Sequence, residues 1–281
     1  MRIGFIGAGK VGFSLGKYLA VNGIALSGYY SRSRESAGEA AEFTGSEVFD
    51  SIEELVRESS AIFITVPDGT ITEIFDRIKP LDISGKLICH CSGAMSAAEA
   101  FPGIGSAGAH GLSVHPLFPV SSKYESYKEL SKAFFCLEGD CAEQWSDILT
   151  SIGNSVRIID SSVKVRYHAA CAISSNLVCA LAAESVSLLK ECGFTADEAL
   201  QALRPLAMSN MAKIFDAGPV NALTGPVERN DVSTVSKHLK CFGTDEEKEL
   251  YKAVSRKLIE VASEKHPETD YSELRKLLSD N

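Results

Sequence analysis

The sequence predicts an α/β chain, with a doubly wound, mostly parallel sheet over residues 1–160 and an all-α domain over 161–281. Three observations lead there. Apolar, strand-like runs alternate with helical patterns from residue 2 to about 160, as in βαβ units. The opening, MRIGFIGAGKVGFSLGKYLA, sets G-x-G-x-x-G between a first strand and a first helix. Beyond about Ser161, strand patterns cease and helical periodicity with capping signals takes over.

Ile3, Phe5 and Ile6 make the first strand, and Val11, Leu15 and Leu19 line a helix running to Asn22. IALSGYYS is the second strand, followed by a helix from about Arg34 to Phe43. SAIFITV precedes the helical GTITEIFDRIK, and KLICHCSG, GLSVHPL, AFFCLEG and SVRIID supply further strands, with a helix around AEQWSDILTSIG. Continuous apolar strands of this kind are covered on both faces.

In this setting the glycines acquire separate tasks. Gly7 permits the tight turn, Gly9 lets the backbone approach a pyrophosphate, and Gly12 lets helix and strand pack closely. Lys10 and Val11 open the helix, whose free N–H groups and positive end suit phosphate. An NAD site carries an acid about 20 residues on, at the ribose 2′-hydroxyl. Here that strand ends Tyr30-Ser31-Arg32-Ser33-Arg34, and no Asp or Glu occurs between Phe13 and Arg34. Ser31, Arg32 and Arg34 would instead hold a 2′-phosphate, which makes NADP the expected cofactor. Val66, Pro67 and Asp68, at the end of the next strand, should border the nicotinamide, with Ser92 and Gly93 on the same rim. Ser92 would bind substrate or cap the helix near Ser96.

The second half opens with SVKVRYHAACAISSNLVCALAAESVSLLKECG, which reads as one long buried helix closed by Gly193. Interrupted by His168, Asn176 and Glu184, it is too polar for a membrane span. His168 and Asn176 fall within about 80° of each other on it, with Ser175 between them in sequence. Thr195 with Glu198, and Thr244 with Glu247, form capping boxes. In NALTGPVERNDVSTVSKH, Thr224, Arg229 and Asp231 crowd a Gly225-Pro226 bend. Asp231, Thr234 and His238 lie on one face of the ensuing helix, and Asp231 is also that helix's natural N-cap. His115, locked by Pro116 at a strand end, could face the cofactor. It and His238 are alternatives to His168 for handling a proton.

Composition excludes several classes. With 28 Lys+Arg against 37 Asp+Glu the net charge is −9 and no basic tract stands out, which argues against nucleic acid. A strand beginning at residue 2 leaves no room for a signal peptide, and eight scattered cysteines read as reduced core residues, so a cytoplasmic location is expected. No metal is expected: Cys89, His90 and Cys91 are adjacent on a strand and cannot converge.

Taken together, GFIGAGKVG, TVPDGTI, HCSGAMS, SVHPLFPV, YHAACAISSN and LTGPVERND resemble a family of oxidoreductases. In that family a Rossmann-like NADP-binding domain precedes a helical domain of unknown function. The resemblance spans nearly the whole chain. It extends to the superfamily of 6-phosphogluconate dehydrogenase and pyrroline-5-carboxylate reductase. It implies a long helix after the nucleotide domain, substrate between the domains, and a homodimer built through the helical domains. One departure matters. Hydroxyacid dehydrogenases of that superfamily place Lys four residues before the helix Asn, where this chain has Ala172, the nearest lysine being Lys164. SVHPLFPV is also similar to the His-Pro segment of prephenate dehydrogenases, without the rest of that pattern.

The expected activity is NADP(H)-dependent oxidation or reduction of a small carbonyl, imine or hydroxy compound. His168 would handle the proton, Asn176 and Ser92 would orient substrate, Arg229 would hold an anionic group, and Asp231 would fix Arg229 or His238. The alternative is an NADP(H)-binding sensor without turnover.

Overall fold

The computed structural model describes residues 1–279. Two compact units divide the chain, Met1–Asn176 and a second from Leu177 onward.

The first unit contains β1 (Ile3–Ile6), α1 (Lys10–Val21), β2 (Leu26–Tyr30), α2 (Arg34–Thr44), β3 (Glu47–Val48), α3 (Ile52–Glu58), β4 (Ala61–Ile64) and α4 (Asp68–Ile78). It continues with β5 (Leu87–His90), α5 (Ala97–Ala100), β6 (His110–Leu117), β7 (Phe134–Gly139), α6 (Ala142–Ser151), β8 (Ser155–Ile158) and α7 (Lys164–Ser174). The strands form one sheet in the order β3-β2-β1-β4-β5-β6-β7-β8. Every neighbouring pair is parallel except β6 and β7. This is a Rossmann-like sheet, and its strand order reverses between β1 and β4, where ligands of such sheets bind.

The central strands β1, β4 and β5 are buried along their whole length, which is why they read as unbroken apolar runs. One face of the sheet packs Phe13, Leu15, Tyr29, Phe63 and Trp145, and the other packs Leu55, Ile64, Phe75 and Phe101. The short pair β3–α3 has no counterpart in the sequence-based element list. Two residues are too few for a periodic signal, although Ser51 caps α3 by accepting the Glu54 N–H.

The second unit comprises α8 (Asn176–Glu191), α9 (Ala196–Ala222), α10 (Val232–Cys241), α11 (Asp245–Lys265) and α12 (Ser272–Leu277). Both predicted capping boxes are present, at Thr195–Glu198 and Thr244–Glu247. The backbone leaves helical geometry at Gly218 within α9, at the expected DAGP stop. Val227, Val235, Ile259, Tyr271 and Leu274 form the unit's core.

The long helix differs from its expectation in three respects. It is two helices, parted at Ser175 (φ −126°, ψ −73°). It is not buried either: α8 contains no buried residue. By length and composition alone Ser161–Glu191 is apolar enough to cross a membrane, where the sequence reading held it too polar; one such stretch is not evidence of a span, and none of its apolar window is buried. Periodicity reports that a helix has an apolar face but not what covers it.

Asn154 ties elements of the first unit together at the edge of its core. It accepts from Tyr18 Oη (2.6 Å) and donates to the carbonyls of Leu130 (2.8 Å) and Ala133 (3.0 Å), all buried. Asn154→Ala strands these three groups, and urea denaturation should show a loss of about 2–4 kcal/mol.

Candidate nucleotide and reaction site

The groove at the carboxyl ends of β1, β2 and β4 begins with the glycine turn. Gly7 has φ +109°, open to glycine alone without strain, and a Cβ there would lie 2.6 Å from the Thr65 carbonyl. A Cβ on Gly12 would lie 2.6 Å from the Gly7 carbonyl. Thr65 Oγ1 closes the contact by donating to that same carbonyl (2.9 Å). Gly9 is the N-cap of α1 and offers no side chain to the first-turn N–H groups, and no acid sits in that turn. Those donors and the positive helix end suit a pyrophosphate. The residues present therefore fit a dinucleotide.

On one side of the turn a cavity is lined by Gly7, Gly9, Tyr30, Ser31, Arg32 and Arg77, with Glu73 also at its wall. On the other, Gly9, Lys10, Val11, Val66, Pro67, Asp68 and Ser92 line a continuation. The predicted cofactor residues thus gather along one groove, except Gly12, which packs under the turn, and Arg34. Arg34 pairs with Asp50 across the start of α2, and Ser33 is spent as that helix's N-cap. The guanidinium expected at the phosphate is thus held by a carboxylate that the sequence reading did not place there. Arg77, in the last turn of α4, was missed because only the fold brings it to β2.

Ser92 does not cap the helix near Ser96, because Ser96 itself caps α5. Its hydroxyl donates to Asp68 Oδ2 (2.6 Å) and accepts the Met95 N–H (3.1 Å), so it braces the rim.

Beside Ser92 the chain passes Gly93, where a Cβ would meet His168 and lie 2.9 Å from His115 Nε2. Here two imidazoles from distant segments meet, their centroids 6.1 Å apart. His115 comes from β6 and His168 from α7, and both line a cavity with Pro116, Tyr167, Cys171 and Asn176. His115 Nδ1 is 2.6 Å from Tyr167 Oη. Burial, then the Lys164 ammonium and His168, push the His115 imidazole down to about 4, so it is neutral at neutral pH. His168, His115 and Asn176 are therefore brought together. Tyr167 was not singled out in the sequence, where a lone Tyr on an apolar helix carries no signal.

Arg229, Asp231 and His238 belong to the second unit. Asp231 caps α10, accepting from the Thr234 N–H (3.0 Å) and hydroxyl (2.7 Å) and from Ser233 (3.0 Å). Those bonds, led by Thr234, with Arg229 as a lesser cause, hold its carboxyl down at about 2. It does not fix His238, whose Nδ1 meets Tyr251 Oη at 2.8 Å. Glu228 anchors the same bend by accepting from His266 Nε2 (2.7 Å), with Lys265 3.3 Å away.

Residues 2–92 match the family described as "NADP oxidoreductase coenzyme F420-dependent", and residues 133–258 match a domain of unknown function, DUF2520. Of the two coenzymes in the first family's description, NADP is the one expected from the β2 rim. Protein TM1727 from Thermotoga maritima is 26% identical, with a TM-score of 0.74 over 93% of this chain and 98% of its own. A candidate NADP oxidoreductase from Bacteroides fragilis, BF3122, is 24% identical, with a TM-score of 0.71 over 92% and 98%. A reductive aminase from Aspergillus terreus, crystallised with NADPH and ethyl levulinate, shares the fold at 16% identity, with a TM-score of 0.65 over 99% of both chains. No protein of curated function matches the chain.

Burial also makes the site acid-sensitive. His90, buried in β5, is pushed to about 3 by burial and then by Lys164, while an ordinary imidazole sits at 6.5. Because both folded values are depressed, the unfolded chain binds protons first. The stabilisation is complete above about pH 6.5 and is lost as pH falls, toward about 4 for His115 and about 3 for His90. The thermal midpoint should drop across that window, and less steeply in His115→Gln. An equal slope in the variant would contradict the assignment.

Proposed function

We propose that the chain is an NADP(H)-dependent oxidoreductase acting on a small carbonyl, imine or hydroxy compound beside Gly93. The observation that carries this reading is the meeting of His115 and His168 over Gly93, one residue beyond the cofactor-side Ser92. Arg32 and Ser31 would hold the 2′-phosphate, the first turn of α1 the pyrophosphate, and Val66 and Pro67 the nicotinamide ribose. When bound, the nicotinamide supplies or accepts the hydride.

The chain's own residues would do the rest. His168 exchanges the proton with the substrate heteroatom, in the cavity that it lines together with His115 and Asn176. His115 stays neutral and, with Nδ1 committed to Tyr167, offers Nε2 as a hydrogen-bonding group. Asn176 orients the polar end of the substrate through its amide. Arg229 remains the proposed anchor for an anionic substituent. A second copy of the chain would cover the exposed Leu177, Leu181, Leu200, Leu206, Met208 and Phe215 of α8 and α9. An apolar face of this extent on one chain is characteristic of a subunit contact.

The test is loss of NADPH absorbance at 340 nm against a panel of cyclic imines, ketones and ketoacids. At least one should be reduced. Arg32→Ala should raise the KM for NADPH about tenfold or more, and His168→Ala should lower kcat/KM about a hundredfold or more. If His168→Ala turns over at the wild-type rate, the proton role is wrong. If NADPH binds but no member of the panel reacts, a sensing role becomes the better account.

A further inference from the structure

Helix α7 is amphipathic in the opposite sense to an ordinary surface helix. Its stripe at i, i+3, i+4 and i+7 carries Lys164, Tyr167, His168 and Cys171. Its Val165 and Ile173 are 68% and 62% exposed. The polar stripe faces two cross-strand pairs of the β6–β7 ladder, Ser113 with Glu138 and His115 with Cys136. Since side chains alternate along a strand, Ser113 and His115 share one face of β6, and Cys136 and Glu138 one face of β7. Lys164 covers the first pair: Nζ donates to Ser113 Oγ and lies 3.9 Å from Glu138 Oε2. Tyr167 covers the second, its hydroxyl bonded to His115. The result is a buried polar layer where a helix packed on a sheet would ordinarily be apolar.

Stability does not explain the layer. Lys164 and Glu138 are 1% and 5% exposed, and desolvation at such sites offsets most of what an ion pair returns, so apolar replacements are often as stable. Nor is the pair in hydrogen-bond contact, for Glu138 Oε2 is occupied by the Ala97 N–H (2.8 Å). The ammonium instead holds Ser113, whose hydroxyl donates to the Ser92 carbonyl (3.3 Å). Ser92 carries the rim bond to Asp68 and leads directly into Gly93, where the two imidazoles meet.

We propose that Lys164 is a positioning residue for the reaction, setting Ser92 through Ser113 from the buried side of the sheet, on the face of β6 that also carries His115. The inference rests on reading this site as one for nicotinamide-dependent chemistry. Around His115 the titratable groups are Lys164, Tyr167, His168 and Cys171 of α7, Cys136 and Glu138 of β7, and His90 and Cys91 at the end of β5. After burial itself, Lys164 is the largest cause holding His115 low, ahead of His168.

The test uses the full chain with both charges removed, Glu138→Gln/Lys164→Met, so that no lone charge is left buried. The thermal midpoint and NADPH affinity should stay near wild type. The His115 imidazole, followed by proton NMR, should titrate higher by about 0.5 unit or more, and kcat should fall about tenfold with the acid limb of its pH profile moved upward. A folded variant with unchanged His115 titration and unchanged kcat overturns the proposal, leaving Lys164 a structural residue. If the double variant does not fold, Ser113→Ala decides. It should lower kcat severalfold at unchanged NADPH affinity, and an unchanged kcat overturns the proposal. Should wild-type protein reduce no substrate, the functional reading fails instead, and the His115 titration alone decides the role of the Lys164 charge.

Discussion

The site depends on the close approach of the β1–α1 turn to the end of β4. Gly7 and Gly12 have no room for a Cβ against Thr65 and each other, and the Thr65 hydroxyl locks the contact through the Gly7 carbonyl. That approach points the uncapped start of α1 along the strand ends, and the groove forms on either side of it. Each glycine is fixed by backbone geometry. Substituting either would move the helix off the sheet, because backbone atoms cannot yield as a flexible side chain can.

At the far end of the groove the governing constraint is burial. The imidazoles of His90 and His115 are neutral because water is excluded and an ammonium lies nearby. Tyr167 bonds His115, and burial raises the phenol so that it keeps its proton. His115 and Tyr167 thus present neutral hydrogen-bonding groups to the cavity that Asn176 also lines.

Most of the first unit was legible in the sequence because its signals are local. The glycine spacing, the apolar runs of β1, β4 and β5 and the capping boxes each lie within a few residues. What was not legible depends on contacts between distant segments. Arg34 carried the right charge for a phosphate, but Asp50, sixteen positions on, engages it. Arg77, on a helix that packs against β4, comes to line the same cavity as Ser31 and Arg32 only through the fold. His115 was one of three open candidates, and only its contact with Gly93 and Tyr167 sets it apart from His238, which bonds Tyr251 in the second unit. The LTGPVERND bend looked like a reactive cluster, yet Asp231 caps a helix and Glu228 ties down the C-terminal segment. Residues that terminate helices and residues that bind ligands are drawn from the same short polar types, so pattern alone does not separate them.

The proposed function requires a phosphate-bearing coenzyme lying along the groove from Arg32 to Ser92. Titration calorimetry of the full chain with NADPH and with NADH tests that most directly. NADPH should bind with micromolar affinity, and NADH about tenfold or more weakly, since the β2 rim offers guanidinium and no acid. Failure of both to bind at millimolar concentration, or a preference for NADH, would contradict it.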